Sequence, residues 1–174
     1  MCKTMNALYG LLYILLLGLL CFPFGRLLAG SSFRADCFPF RSFSLEHEGK
    51  LYQKIGIQRW QNRVPDISRI IPGIVPRKEI PRRPDADTLR RMINETCVAE
   101  TTHLLLCIAG AALLWIWPGA GGAVMFAVYA LLGNFPFILI QRYNRPRLRK
   151  LLNNMERRAG RLGKYPAKEE SVMR

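Results

Sequence analysis

Polar and apolar positions are segregated along this chain rather than finely alternated. Thr101 to Ile140 is forty residues with no formal charge apart from what His103 can acquire. One membrane-spanning helix needs about 20 apolar residues, so the run is long enough for two. Pro118-Gly119-Ala120-Gly121-Gly122 interrupts it once, with residues that favour a turn over a helix. The pattern therefore predicts a helical hairpin whose two ends return to one membrane face. A second apolar run, Met5 to Gly25, holds 21 uncharged residues and is long enough to span. Its length favours a retained helix over a cleaved signal peptide, although Ala29-Gly30-Ser31 offers small residues for cleavage.

Between these runs the pattern changes. Residues 26–45 interleave Phe33, Phe38, Phe40 and Phe43 with Arg34 and Arg41, which suits the headgroup layer. Residues 46–63 read as one amphipathic helix, with Leu51, Ile55 and Trp60 on a broad apolar side and Lys50, Lys54, Arg59 and Arg63 mostly elsewhere. Five prolines between residues 64 and 84 forbid a regular helix there. Asp87 can cap a helix beginning at Thr88 and continuing to Trp117, about 45 Å long, so its first turns protrude from the bilayer. The third span runs from about Ala123 to Ile140, with a kink expected at Asn134 and Pro136. Pro146 fits the first turn of a further basic helix. Leu148, Leu151, Leu152 and Met155 form an apolar stripe on it that would lie on the membrane.

The expected fold class is an all-α integral membrane protein with about three transmembrane helices, one N-terminal and two in a hairpin, plus interfacial amphipathic helices. Four segments result: a membrane helix at 1–25, an interfacial segment at 26–87 with a proline-rich 64–84, a juxtamembrane helix and hairpin at 88–140, and a basic helix and tail at 141–174.

Charge orients this arrangement. Residues 26–97 carry 14 Lys and Arg against 8 Asp and Glu, residues 141–174 carry 11 against 3, and the Pro118–Gly122 turn carries none. The positive-inside rule then puts both charged regions in the cytoplasm of a bacterial cell membrane, with the turn and the N-terminus outside. The net charge of +14 is explained by topology and by anionic lipid headgroups, and no nucleic-acid-binding motif accompanies it. Five cysteines, at 2, 21, 37, 97 and 107, show neither disulfide nor metal spacing.

The candidate chemistry lies where the hairpin meets the membrane surface. Thr96, Glu100, His103 and Cys107 are spaced four, three and four, and so share a helix face. An ionisable residue at the mouth of a membrane span needs a partner or a task. A carboxylate that orients a histidine is a common arrangement for a general base, and transfer of an acyl group to a hydroxyl requires one. Glu100 and His103, with Glu95 nearby, are the candidate catalytic residues. The plainer alternative is a polar pair that satisfies itself at the interface. At the other end of the hairpin, Gln141-Arg142-Tyr143-Asn144-Arg145-Pro146-Arg147-Leu148 carries Arg142, Asn144, Arg145 and Arg147 as candidate ligands for phosphate or sugar. Trp60 and Lys50 are candidates for headgroup contact, whereas Glu46 reads as a solvated helix-start residue. No metal site, cofactor fingerprint, His-x4-Asp or Gly-x-Ser-x-Gly is present.

Four blocks resemble the glycosyl-4,4'-diaponeurosporenoate acyltransferase family of staphyloxanthin-type carotenoid biosynthesis. They are Phe40-Arg-Ser-Phe-Ser-Leu-Glu46-His-Glu-Gly49-Lys50, Arg59-Trp60-Gln-Asn-Arg-Val-Pro65-Asp66, Glu95-Thr96-Cys97-Val-Ala99-Glu100-Thr-Thr-His103, and Asn134-x-Pro136 followed by Gln141 to Leu148. Gln61, Val64, Val98 and Leu104 depart from the residues usual in those blocks. The resemblance implies transfer of a fatty acyl group to a glucose hydroxyl of a carotenoid glucosyl ester. The acyl donor would be acyl-CoA or acyl carrier protein and the acceptor a glycolipid. Three alternatives stand beside it: an acyltransferase for a different glycolipid, a non-catalytic accessory protein of a lipid-modifying complex, and a membrane methyltransferase or reductase.

Overall fold

The computed structural model describes residues 2–61 and 84–163. The proline-rich reading of 64–84 falls almost wholly outside these residues, as does the basic tail beyond Gly163. Among the described residues every regular element is helical, and three stretches are long and apolar enough to cross a membrane. A helix satisfies all its backbone hydrogen bonds within one segment, which an apolar surrounding demands. The protein is accordingly an integral membrane protein.

Helix α1, Cys2–Ala29, is the N-terminal span and runs four residues past the expected end. Over its described residues, 46–61, the expected amphipathic helix at 46–63 is instead three short pieces. A 3₁₀ turn spans Ser44–Gly49, then come α2, Lys50–Lys54, and α3, Ile57–Trp60. Gly49 and Gly56 break it, with φ of 95° and 70°. These are conformations that side-chain-bearing residues adopt at a cost. The breaks also rotate the apolar side. Tyr52 and Ile57 are buried against Tyr143, and Leu51 and Ile55 face outward. Phe38 and Leu45 are 82% and 79% exposed, so this segment presents apolar groups outward, as an interfacial element does.

Helix α4, Ala86–Gly110, starts earlier than expected. The N-cap is Asp85, whose carboxylate accepts from Thr88 N at 3.2 Å, while Asp87 pairs with Arg90 at 2.9 Å. The predicted unbroken helix to Trp117 is interrupted at Ala111 and Ala112 before α5, Leu113–Ile116. Gly119, with φ of 95°, turns the chain into α6, Ala120–Val128. A π-helical turn, Tyr129–Asn134, then leads to α7, Phe135–Gly163. The irregularity expected at Asn134 and Pro136 takes the form of that π turn. The hairpin is formed by α4–α5 and α6–α7, with α1 beside it.

Pro146 does not open a new helix, because α7 runs through it. The bond lost to its missing N–H is outweighed by packing on both sides. The stripe Leu148, Leu151, Leu152 and Met155, expected to lie on the membrane, packs against Leu89, Met92 and Ile93 of α4. Arg90 and Glu156 close this pair at 2.8 Å. Two helices therefore continue side by side beyond the apolar spans.

Candidate active site

Where α4 and α7 cross the edge of the apolar region, four charged side chains are buried together. Glu100 is 1% exposed, Arg145 2%, Glu46 6% and Arg142 8%. Arg142 donates from Nε to Glu46 Oε1 and from Nη1 to Glu100 Oε1, both at 2.6 Å. Arg145 Nη2 donates to the other Glu100 oxygen. One carboxylate thus bridges two guanidinium groups three residues apart on α7.

Each remaining guanidinium nitrogen also finds an acceptor. Arg142 reaches the carbonyls of Pro39 at 3.0 Å and Arg41 at 3.2 Å. Arg145 reaches the Phe40 carbonyl at 2.7 Å and Thr96 Oγ1 at 2.9 Å. Phe43 and Phe40 lie against the two guanidinium groups, 4.5 and 5.2 Å from ring centroid to Cζ. Two positive and two negative charges balance, and no described buried side-chain nitrogen or oxygen lacks a hydrogen-bond partner. This is the condition under which a buried ionic cluster is tolerable.

Glu46 is therefore not a solvated helix-start residue. It accepts from Arg142, from Tyr52 Oη at 2.7 Å and from Phe43 N at 3.1 Å. Burial, reinforced by the Glu46 carboxylate, pushes the Tyr52 phenol up to about 12. The cluster ties the 38–43 segment and the Ser44–Gly49 turn to both hairpin helices.

Glu100 and His103 do share a face of α4, but both Glu100 oxygens are held by arginine. His103 places Nδ1 3.0 Å from Asn134 Oδ1 and stacks on Phe137, with centroids 4.6 Å apart and planes 9° apart. Asn134 is 2% exposed and donates from Nδ2 to the Tyr129 carbonyl at 3.0 Å. That carbonyl lies in the π turn, where the regular helix ladder is interrupted. His103 thus sits nearly one turn further along α4 than Glu100, about 4.5 Å of helix rise, and meets Asn134 and Phe137 there.

The other predicted residues divide. Glu95 is half-buried and outside the cluster, and Asn144 is half-buried on α7. Arg147 is exposed, its Cζ 4.8 Å from the Tyr143 ring centroid. Lys50 is exposed and follows Gly49, where an added Cβ would lie 3.4 Å from Pro146 Cγ. Lys50 and Arg147 therefore flank one close approach between the interfacial segment and α7. Trp60 is half-buried beside Tyr52, Ile57 and Tyr143.

Sequence reasoning missed Tyr52, Phe137 and the pairing roles of Thr96 and Asn134, and misread Glu46. The available signal was electrostatic. Two arginines at i and i+3 beside an apolar span require counter-charges, and Glu46 is among the few acids within reach. An apolar groove of about 830 Å³ also opens between α1 and α6, lined by Leu11, Ile14, Trp117 and Val124 and ending at Tyr129 and Gly133. It offers space to a hydrocarbon chain and ends on the turn that carries Asn134.

The family model for glycosyl-4,4'-diaponeurosporenoate acyltransferase matches residues 38–154, which include every member of the ionic cluster together with His103 and Asn134. The protein of that name from Staphylococcus aureus strain N315 is 29% identical over 167 residues, covering 91% of this chain and 98% of the relative. The one from strain MRSA252 is 30% identical over 160 residues, covering 90% and 93%. No solved structure matches significantly. The chain belongs to the glycosyl-4,4'-diaponeurosporenoate acyltransferase family, and it is an acyltransferase.

Proposed function

We propose that this enzyme transfers a fatty acyl group from a thioester donor, acyl-CoA or acyl carrier protein, to a sugar hydroxyl of a glycolipid, by way of His103. A glycosylated carotenoid carboxylate is the acceptor that the relatives' names favour. The observation that carries the reading is the held imidazole. His103 is fixed by Asn134 and Phe137 where an apolar span begins, at the depth of a sugar whose lipid chain lies in the bilayer. His103 takes the proton of the acceptor hydroxyl. The oxygen forms a bond to the thioester carbonyl carbon and the C–S bond breaks. The thiolate leaves and recovers the proton from the imidazolium.

Arg142 and Arg145 are positioning residues in this scheme. Their N–H groups face protein acceptors and fix α4, α7 and the 38–43 segment relative to one another. The exposed pair Lys50 and Arg147 is the better candidate for phosphates of the donor. Both hairpin ends lie at the cytoplasmic face of the cell membrane, where either donor is available. Cysteine labelling of Ala120→Cys from outside only, and of Gly160→Cys from inside only, checks this, and the reverse pattern overturns it.

The substrate class is tested by mass spectrometry of lipid extracts from cells with and without the protein. A glycolipid heavier by one fatty acyl group, present only with the protein, supports the reading. A glycolipid profile unchanged by the protein contradicts it.

A further inference from the structure

We infer that Asn134 is a positioning residue that fixes the tautomer of His103, holding its proton on Nδ1 so that Nε2 carries the basic lone pair. The inference deepens the proposed role of His103. It starts from the Tyr129 carbonyl, an acceptor with no donor capacity. Asn134 lies 3.0 Å from it, and only the amide NH₂ can make that bond. The amide orientation is thereby set, and Oδ1 is the atom that faces the imidazole, 3.0 Å from Nδ1. Two acceptors do not hydrogen-bond to each other, so in the neutral ring Nδ1 must be the protonated nitrogen. Nε2 is then the nitrogen able to take a proton.

The arrangement uses local backbone geometry. The π turn at Tyr129–Asn134 widens the helix ladder, and within it the Asn134 amide reaches back to the Tyr129 carbonyl. The same turn buries Asn134 to 2% exposure. Face-to-face stacking on Phe137 fixes the ring plane and Asn134 fixes the in-plane rotation. The second partner of a working imidazole commonly determines which nitrogen is protonated. A neutral amide does so here without placing another charge inside an apolar span.

The test is ¹⁵N NMR of histidine-labelled protein in detergent. His47 and His103 are the only histidines, so a His47→Asn background leaves one imidazole to observe. His47 is exposed with φ of 44°, a conformation that asparagine tolerates. The expected wild-type spectrum has a protonated Nδ1 and an unprotonated Nε2. Asn134→Leu, which has no acceptor, should give a mixture of tautomers. It should also lower kcat about tenfold or more, out of the roughly 10²- to 10⁴-fold that a general base contributes, with acceptor KM changed by less than about threefold. Asn134→Ser keeps a shorter acceptor and is expected to fall between the two. A wild-type proton on Nε2, or an Nδ1–H form unchanged in both variants, would overturn the inference. The tautomer is read without turnover. Its failure is therefore distinguishable from failure of His103 as base, which His103→Ala tests.

Discussion

Glu100→Gln probes the ionic cluster more sharply than any other single change. The substitution is nearly isosteric and keeps one oxygen acceptor, so packing is preserved and the charge is removed. Two guanidinium groups then share a single counter-ion, Glu46, whose ion pair is with Arg142. Arg145 loses its only charged partner among the described residues. Breaking a buried ion pair by removing one member costs about 3–5 kcal/mol, because the remaining charge stays buried. Here one carboxylate serves two pairs, and its side chain is 2% exposed. The expected loss is therefore about 3 kcal/mol at least, against a total stability of about 5–15 kcal/mol for a typical domain. Glu156→Gln is the internal control. It removes a partner of Arg90 in a pair whose side chains are 57% and 47% exposed. Such a pair is worth about 0–1 kcal/mol. Thermal or denaturant unfolding in one detergent, measured side by side, should show a large destabilisation for Glu100→Gln and almost none for Glu156→Gln. Equal small effects would refute the account of the cluster as the joint between α4, α7 and the 38–43 segment.

Three further outcomes follow from the geometry. The Tyr52 phenol, raised to about 12 by burial and then by Glu46, should appear as a late step in an alkaline absorbance titration compared with Tyr52→Phe. Its folded value lies above the ordinary value of about 10, so its stabilising contribution is complete below that pH and is lost as pH rises through 12. Glu46→Gln should bring the step down, and an unmoved step would show that Glu46 contributes nothing. Gly110→Ala would place a Cβ 2.7 Å from the Tyr129 ring, so it should destabilise by about 1–3 kcal/mol. Gly160→Ala meets nothing within 4 Å and should stabilise by about 0.5–1 kcal/mol in the same unfolding assay, and the same sign for both would contradict the packing described. Lys50→Ala and Arg147→Ala should each raise donor KM about tenfold, the worth of a hydrogen bond to a charged group, while exposed Arg157→Ala should not. Identical KM values for all three would remove the proposed phosphate site.

The spans were legible because membrane insertion depends on a long uncharged run, which is a local property. Thr101–Ile140 and its Pro118–Gly122 break dictate a hairpin almost irrespective of tertiary detail. The candidate site was legible only in part. Glu100, Arg142 and Arg145 stood out as ionisable groups beside apolar segments, yet their partners were hidden. Glu46 meets Arg142 across 96 positions, and His103 meets Asn134 across 31. Helical spacing suggested that Glu100 would hold His103, because i and i+3 are neighbours on one helix. Arginine on the facing helix competes better for a buried carboxylate. Pro146 and Asn134 were read from their backbone effects alone. Packing of Leu148 and Leu152 against α4 carries the helix through the first, and the second turns its side-chain amide back onto the Tyr129 carbonyl of the π turn. The segment at 46–63 misled because its apolar periodicity ignored two left-handed glycines.

The central claim is that a held imidazole at the membrane entrance removes the acceptor's proton. The most direct measurement is acyl transfer by purified, monodisperse His103→Ala protein in detergent, with acyl thioester and glycolipid acceptor supplied. The account predicts a rate lower by about 10²- to 10⁴-fold in a protein that stays folded, its stability lowered by only about 1–3 kcal/mol for the lost partner of Asn134, because His103 is outside the ionic cluster that joins the helices. Transfer at a near wild-type rate by folded His103→Ala protein would contradict it.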